Sequence, residues 1–280
     1  MRNFAVLILT HKRANNVVTV KTLRDNGYTG KIYICIDDED PQEDIYRQIY
    51  GDDVIQFHKE DYIKKSMIMN PEKPHNIVLY ARNAANDMAL SKGLTHFLEL
   101  DDDYTAFDFR YVKDGTLKRQ KISDFDYVCE LFCDWLDSTD ALTISMMQGG
   151  DFIGGEGSAA WKKQLNRKVM NSFFCRTDRP LQFMGAINED VNMYVSDGNK
   201  GKIFFSPAFT CIEQARTQQN SGGLTETYLE YGTFVKSFYT VMLCPSCVKI
   251  SQMGVSDMRI HHRIMWNNAV PKIISEKWRK

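Results

Sequence analysis

Several familiar signatures are missing from this sequence of 280 residues. No apolar run approaches the 18 or so residues that a membrane-crossing helix needs, which excludes an α-helical span. The one strongly apolar stretch near the start, Phe4–Leu9, is too short for an export signal and runs into His11-Lys12-Arg13. It is expected to be a core strand. No GxGxxG follows that strand, because THKRANN stands there instead, so a dinucleotide-binding sheet is disfavoured. No Gly-Lys-Ser or Gly-Lys-Thr follows a strand either, which removes a Walker-type phosphate loop. Phosphates are then expected on a metal and basic side chains rather than in a glycine cradle. Cysteine is sparse and odd in number, seven in all, which argues for reduced thiols in a cytoplasm rather than a disulfide framework. Cys244-Pro-Ser-Cys247 is a lone CxxC without a second pair, and Cys129 and Cys133, one helical turn apart, read as core.

Net charge is also nearly absent at −1, but it is unevenly placed. Residues 1–140 hold 18 Lys and Arg against 25 Asp and Glu, whereas residues 141–280 hold 17 against 11. A basic second half can face a polyanion even in a neutral chain. Its cations include Lys162, Lys163, Arg167, Lys168, Arg176, Arg179, Arg259, Arg263, Lys272, Lys277, Arg279 and Lys280; ordinary surface lysine is the competing explanation.

What is present is a strand running into carboxylates. Residues 97–104 read FLELDDDY. Asp101 and Asp103 lie two apart, so in an extended stretch they point the same way and can grip one hard cation, Mg²⁺ or Mn²⁺. An isolated acidic run is commonly a solvated turn, but the residues before this one alternate in period. Strands are expected at Phe4–Thr10, Lys31–Asp37, Asp53–Phe57 and Thr95–Leu100. Helices are expected at Asn15–Asn26, Glu43–Tyr50 and Asn76–Lys92, with Gly27, Gly51 and Gly93 as stops. That alternation implies a doubly wound α/β sheet, whose ligands bind beyond the carboxyl ends of the strands. Thr10, His11, Asp37, Asp38 and Asp101–Asp103 all fall at such ends.

In the second half, Glu189-Asp190 follows a Gly-containing turn and opens an expected helix. A carboxylate there can accept a proton from an attacking hydroxyl, although capping a helix N-terminus is the reading that spacing favours. Residues 260–263, IHHR, put two imidazoles beside arginines. A histidine there can complete a metal shell, and Arg259 or Arg263 can counter a diphosphate; a structural role competes. Gln214–Tyr228 is polar and glycine-interrupted and reads as a mobile loop over a substrate. Phe173, Phe174, Tyr228, Tyr231, Phe238 and Tyr239 can stack on an exposed base, though core packing is the more ordinary use of such residues.

Arg82-Asn83 on a helix, then Asp-x-Asp, then Glu-Asp, then a C-terminal His is an order that resembles the GT-A fold of nucleotide-sugar-dependent glycosyltransferases. The segments THKR, GYTGKIYICIDDED, LYARNAAN, LELDDDY, INEDVNMY, TQQNSGGLTETYLEYGTFVKSFY and RIHHRIMWNNAVPKII are similar to the TET-associated glycosyltransferases of bacteriophages, over nearly the entire chain. The resemblance implies an α/β, GT-A (Rossmann-like) mixed sheet with helices on both faces and a C-terminal acceptor-binding region. It implies one domain over 1–280, with a nucleotide-sugar-binding half (1–104) and an acceptor-binding, catalytic half (105–280). Asp101 and Asp103 would then hold a divalent metal (Mn²⁺ or Mg²⁺) on the donor diphosphate, with His261 or His262 as a further ligand. Thr10, His11, Arg13, Asp37, Asp102 and Arg263 would contact the donor, which Arg82 and Asn83 would support. Asp190, beside Glu189, would be the base of an inverting reaction. The implied donor is a nucleotide-sugar, UDP-linked. The implied acceptor is 5-hydroxymethylcytosine in double-stranded phage DNA, in a host cytoplasm, with no membrane partner. The alternatives are a GT-A enzyme with a non-DNA acceptor and a non-catalytic DNA-binding module.

Overall fold

Buried strands in the first hundred residues build the centre of the molecule. The computed structural model describes residues 2–69, 74–214, 225–253 and 259–271, without the side chains of 225–233, 253 and 259. In chain order its strands are β1 (Phe4–Leu9), β2 (Ile32–Asp37), β3 (Val54–Phe57), β4 (His96–Asp101), β5 (Tyr104–Lys113), β6 (Thr116–Lys121), β7 (Ala141–Ile144), β8 (Met147–Gln148), β9 (Leu165–Asn166), β10 (Ser172–Arg176), β11 (Ile203–Pro207), β12 (Thr210–Gln214), β13 (Val248–Met253) and β14 (Arg259–Ile264). The helices are α1 (Val18–Asp25), α2 (Glu43–Tyr50), α3 (Lys59–Lys65), α4 (Leu79–Ser91), α5 (Phe125–Ser138), α6 (Ala159–Lys163), α7 (Glu189–Asn199) and α8 (Thr225–Leu243).

The main sheet runs β3-β2-β1-β4-β10-β7-β11-β9. Strands β1 to β4 are parallel, β10 is antiparallel to both its neighbours, and β7 and β11 are parallel. The period-2 rule explains how one strand serves two cores. Ala5, Leu7 and Leu9 pack with Leu79, Ala84 and Met88 of α4 and with Val191 and Val195 of α7. Val6 and Ile8 face Leu23 of α1 and Phe125, Val128 and Phe132 of α5. Phe173 and Phe174, adjacent in β10, divide between the same two cores. Each such full burial contributes about 1.5–3 kcal/mol. The expected mixed α/β sheet with helices on both faces is therefore observed.

Parallel pairing puts the carboxyl ends of β1, β2 and β4 on one edge of the sheet. At the end of β4 the chain leaves for a second sheet, ordered β6-β5-β12-β8. The turn between β4 and β5 is Asp102-Asp103. A hairpin, β13–β14, follows α8.

The seven cysteines are unbridged, with Cys129 and Cys133 buried as expected. No helix among the described residues is long and apolar enough to cross a membrane. Most of the loop expected at Gln214–Tyr228 lies outside the described residues, as do Lys272, Lys277, Arg279, Lys280 and the side chains of Tyr228, Tyr231 and Arg259. Phe173, Phe174 and Tyr239 are core residues, not stacking platforms.

Candidate active site

The acidic turn is tightly held from the first half. Thr19 of α1 donates its backbone N–H to the Asp102 carbonyl (3.1 Å) and its hydroxyl to the Asp101 carbonyl (2.7 Å). The Thr19 hydroxyl oxygen accepts from the Tyr104 N–H at 3.0 Å. Asp102 turns inward, where its carboxylate accepts from the Thr10 hydroxyl (2.6 Å) and an Arg13 guanidinium nitrogen (2.7 Å). Burial raises the proton affinity of Asp102 despite these donors. Asp101 and Asp103 have other partners. Asp101 accepts from Arg82 at 3.0 and 3.2 Å and from the Tyr104 hydroxyl at 3.2 Å. Asp103 accepts from the Gln214 amide at 2.9 Å. Burial, then repulsion from Asp101, pushes the Asp103 carboxyl up to about 6.

Arg82 joins the two halves of the chain. It is 4% exposed and lies between the rings of Phe173 and Phe183. Its guanidinium donates to Glu99 at 2.7 Å, to Asp101, and to Glu189 at 3.0 Å. Burial opposes its charge, and Asp101, Glu189 and Glu99 overcome that, holding the group firmly cationic. One cation faces three carboxylates, and a fourth, Asp190, adjoins Glu189. Glu99 shows the resulting surplus: burial, against the pull of Arg82, pushes it up to about 7.

The Glu189-Asp190 corner is built on strained backbone. Gly185 has φ +86°, and a Cβ there would sit 2.5 Å from the Asn192 amide and 2.7 Å from the Tyr239 ring. Asn188, the N-cap of α7, is left-handed at φ 55°, a conformation uncommon outside glycine. Its amide is anchored on α8, donating to the Lys236 carbonyl (2.8 Å) and the Thr240 hydroxyl (3.1 Å). Asn83 braces the same loop, accepting from the Phe183 N–H at 2.8 Å and donating to its carbonyl at 3.2 Å. Asn83 thus holds the approach to α7 and, among the described residues, makes no hydrogen bond to the acidic turn. Glu189 is engaged by Arg82 rather than by capping. Asp190, 5% exposed, accepts only from the neighbouring Val191 N–H at 2.7 Å among the described residues. Burial, with Glu189 adding to it, pushes Asp190 up to about 7. A carboxylate poised there can take a proton near neutrality.

At the ends of β1 and β2, the His11 imidazole bonds Asp37 at 2.7 Å. Lys59, 3% exposed, reaches Asp37 at 3.0 Å. These donors overcome burial and hold Asp37 down at about 2. Asp40 accepts from the Lys12 N–H at 2.7 Å. The other imidazole nitrogen of His11, Nε2, is screened from water and has no partner among the described residues, which leaves a polar atom for a ligand.

His261 and His262 stack on each other in β14, their centroids 4.2 Å apart. His262 is buried, with Nδ1 unbonded among the described residues. Burial, then His261, Lys236 and Lys168, hold it neutral, down to about 4. Arg263 is exposed and opens onto a separate cavity lined by Lys249, Ile264, Met265, Trp266 and Asn267.

Among the described residues no three His, Cys, Asp or Glu side chains converge as a ready-made metal cage. Mg²⁺ does not need one, because it binds through one or two carboxylates and completes its shell with substrate oxygens and water. The surplus negative charge around Arg82 and the reluctant ionisation of Asp103 fit a cation at Asp101 and Asp103.

Glu99, Lys59, Thr19 and Gln214 were not singled out from the sequence. Glu99 carried a signal, a lone acid inside an apolar strand, which demands a buried cation. Lys59 carried none.

Carboxylates at the strand ends of a mixed α/β sheet, braced by one arginine, define an enzyme site of the ligand-binding switch-point type. Comparison with protein families is more specific. Residues 4–223 match the model of the TET-Associated Glycosyltransferase family. The chain belongs to that family and is a glycosyltransferase. No curated protein sequence matches it. Among solved structures it is similar to glucosyl-3-phosphoglycerate synthase from Mycobacterium tuberculosis in complex with Mg²⁺ and uridine-diphosphate, with 9% identity over 94% of this chain and 88% of that one, TM-score 0.49. It is also similar to the mannosyltransferase PcManGT from Pyrobaculum calidifontis in complex with GDP-Man and Mn²⁺ (12% identity, 79% and 59% covered, TM-score 0.47). A third is S. aureus TarS 1-349 in complex with UDP (15% identity, 77% and 61% covered, TM-score 0.43).

Proposed function

We propose that this glycosyltransferase moves a sugar from a nucleotide-sugar, with a UDP-linked one first in line, onto the hydroxymethyl group of 5-hydroxymethylcytosine in duplex DNA, using Mn²⁺ or Mg²⁺. Membership of a TET-associated family supports the acceptor, because a base oxidised by a TET-type enzyme carries a primary hydroxyl. The observation that carries the mechanism is Arg82, whose guanidinium ties the Asp101 end of the acidic turn to Glu189, next to Asp190. It fixes a donor-side acid pair and an acceptor-side acid in one rigid frame.

Thr10, His11, Arg13 and Asp37 border the nucleotide. Asp102 keeps Arg13 and Thr10 in place. Asp101 and Asp103 would hold a divalent cation, which would supply charge neutralisation for the leaving diphosphate, an effect worth several kcal/mol. Asp190 takes the proton from the acceptor hydroxyl, contributing about 10²–10⁴-fold in rate. The surrounding Phe173 and Phe183 exclude water from Arg82. Residues 1–104 thus serve the donor and 105–280 the acceptor, within one domain. His262 is a candidate further ligand, although its cationic neighbours work against that role. The acceptor base must leave the duplex stack to be reached.

The test is transfer of radiolabelled sugar from a panel of nucleotide-sugars onto hydroxymethylated and plain duplexes. Label is expected on the hydroxymethylated duplex alone. A protein that consumes donor yet labels neither duplex overturns the DNA-acceptor reading.

A further inference from the structure

The cavity beside the β13–β14 hairpin is not used by the reaction described above. It measures about 280 Å³ and is lined by Lys249, Arg263, Ile264, Met265, Trp266 and Asn267. Lys249 and Arg263 are directly paired across the two antiparallel strands. Like charges facing one another in a sheet are destabilising, and neither forms an ion pair with an acid among the described residues. Among the described residues no carboxylate lines the cavity. Arg167 adds a third cation at its edge. Its guanidinium lies 5.0 Å from the centroid of the Trp266 ring and donates to the Trp266 carbonyl at 3.0 Å.

The indole is already engaged, since Tyr194 stacks on it at 5.8 Å with the planes 13° apart. Trp266 is thus a buttress, and the cavity offers charge rather than a stacking platform. Tyr194 lies four residues after Asp190 in α7, on the same helix face. The cationic cavity therefore adjoins the face that carries the candidate base.

We propose that Lys249, Arg263 and Arg167 form a contact surface for the sugar–phosphate backbone of the acceptor duplex. The proposal rests on the DNA-acceptor reading and says which face of the protein the duplex lies against. Unopposed cations beside the transfer site suit a polyanion, and backbone contacts position a duplex without reading its sequence. The donor diphosphate is the other source of phosphate, and the experiment separates the two.

Full-length wild type, Lys249→Glu/Arg263→Glu, and a second charge reversal on the exposed edge strand β6, Lys118→Glu/Lys121→Glu, are compared. Each is titrated with a mixed-sequence duplex, with and without 5-hydroxymethylcytosine, across a salt series, and with UDP alone. The hairpin variant is expected to lose on the order of tenfold in affinity for both duplexes. The slope of log affinity against log salt should fall by about 1 for each cation removed. Its UDP affinity should match wild type. Unchanged duplex affinity, an equal loss in the β6 variant, or weakened UDP binding each overturns the proposal. If wild type itself binds no duplex while still turning over donor, the DNA-acceptor reading fails first and this surface with it.

Discussion

Replacing Arg82 with methionine removes one cation from a site that holds three carboxylates around it. Glu99 is 1% exposed and Glu189 is 7% exposed, so neither can turn to water for compensation. Breaking a buried ion pair by deleting one partner costs about 3–5 kcal/mol. For a chain of this size, each kcal/mol shifts Tm by about 2–4 °C, so a fall of roughly 6–20 °C is expected. The pH dependence makes the prediction specific. Glu99 is already raised to about 7 with Arg82 present. Without it, Glu99 loses the group that holds its proton affinity down and binds its proton more tightly still in the folded state. The variant then carries more protons than wild type between pH 5 and 8, so its deficit grows as pH rises. Arg82→Lys keeps the charge but not the three-way fork. It should recover the wild-type pH slope with only part of the stability. Thermal unfolding followed by circular dichroism at pH 5, 6, 7 and 8 measures this. A deficit in Arg82→Met that is absent, or equal at pH 5 and pH 8, refutes the hub.

Other outcomes follow from the same geometry. Asp103→Asn should stabilise the metal-free protein at pH 7.5, since it removes a carboxylate repelled by Asp101, yet cut transfer about a hundredfold or more; calorimetry and turnover check the opposed signs. Asp190→Asn should lower kcat by about 10²–10⁴-fold with its Tm maintained or raised. Wild-type kcat should fall as pH drops through about 7, where Asp190 protonates, and that limb should be missing in the variant's pH–rate profile. Gly185→Ala forces a Cβ against Asn192 and Tyr239 at a positive φ. It should cost at least about 1–3 kcal/mol and reduce kcat more than it changes nucleotide affinity, read by thermal melts and steady-state kinetics.

The first hundred residues were legible because each strand there is a short apolar run bounded by a turn. Glu43–Tyr50 was placed to the residue, and the other expected elements differ from the observed ones by a few residues at their ends. Asn76–Lys92 begins later, at Leu79, and Asn15–Asn26 at Val18. Helix α3, Lys59–Lys65, escaped because KEDYIKK is too short and polar to show a period. The insertion of β10 between β4 and β7 was not readable, since its partner lies about seventy residues away and pairing leaves no local trace. The acidic site announced itself through clustered like charge. Its organising contact, Arg82 with Glu99 and Glu189, depends on three distant segments meeting. Lys59 looked like any surface lysine until β2 and α3 enclosed it against Asp37.

The most direct test of the cation at the acidic turn is a Mn²⁺ titration followed by electron paramagnetic resonance, with UDP present, on wild type and on Asp101→Asn and Asp103→Asn. One Mn²⁺ per chain is expected for wild type, dependent on UDP and weakened at least tenfold by either substitution. Equal binding in all three proteins would contradict the account.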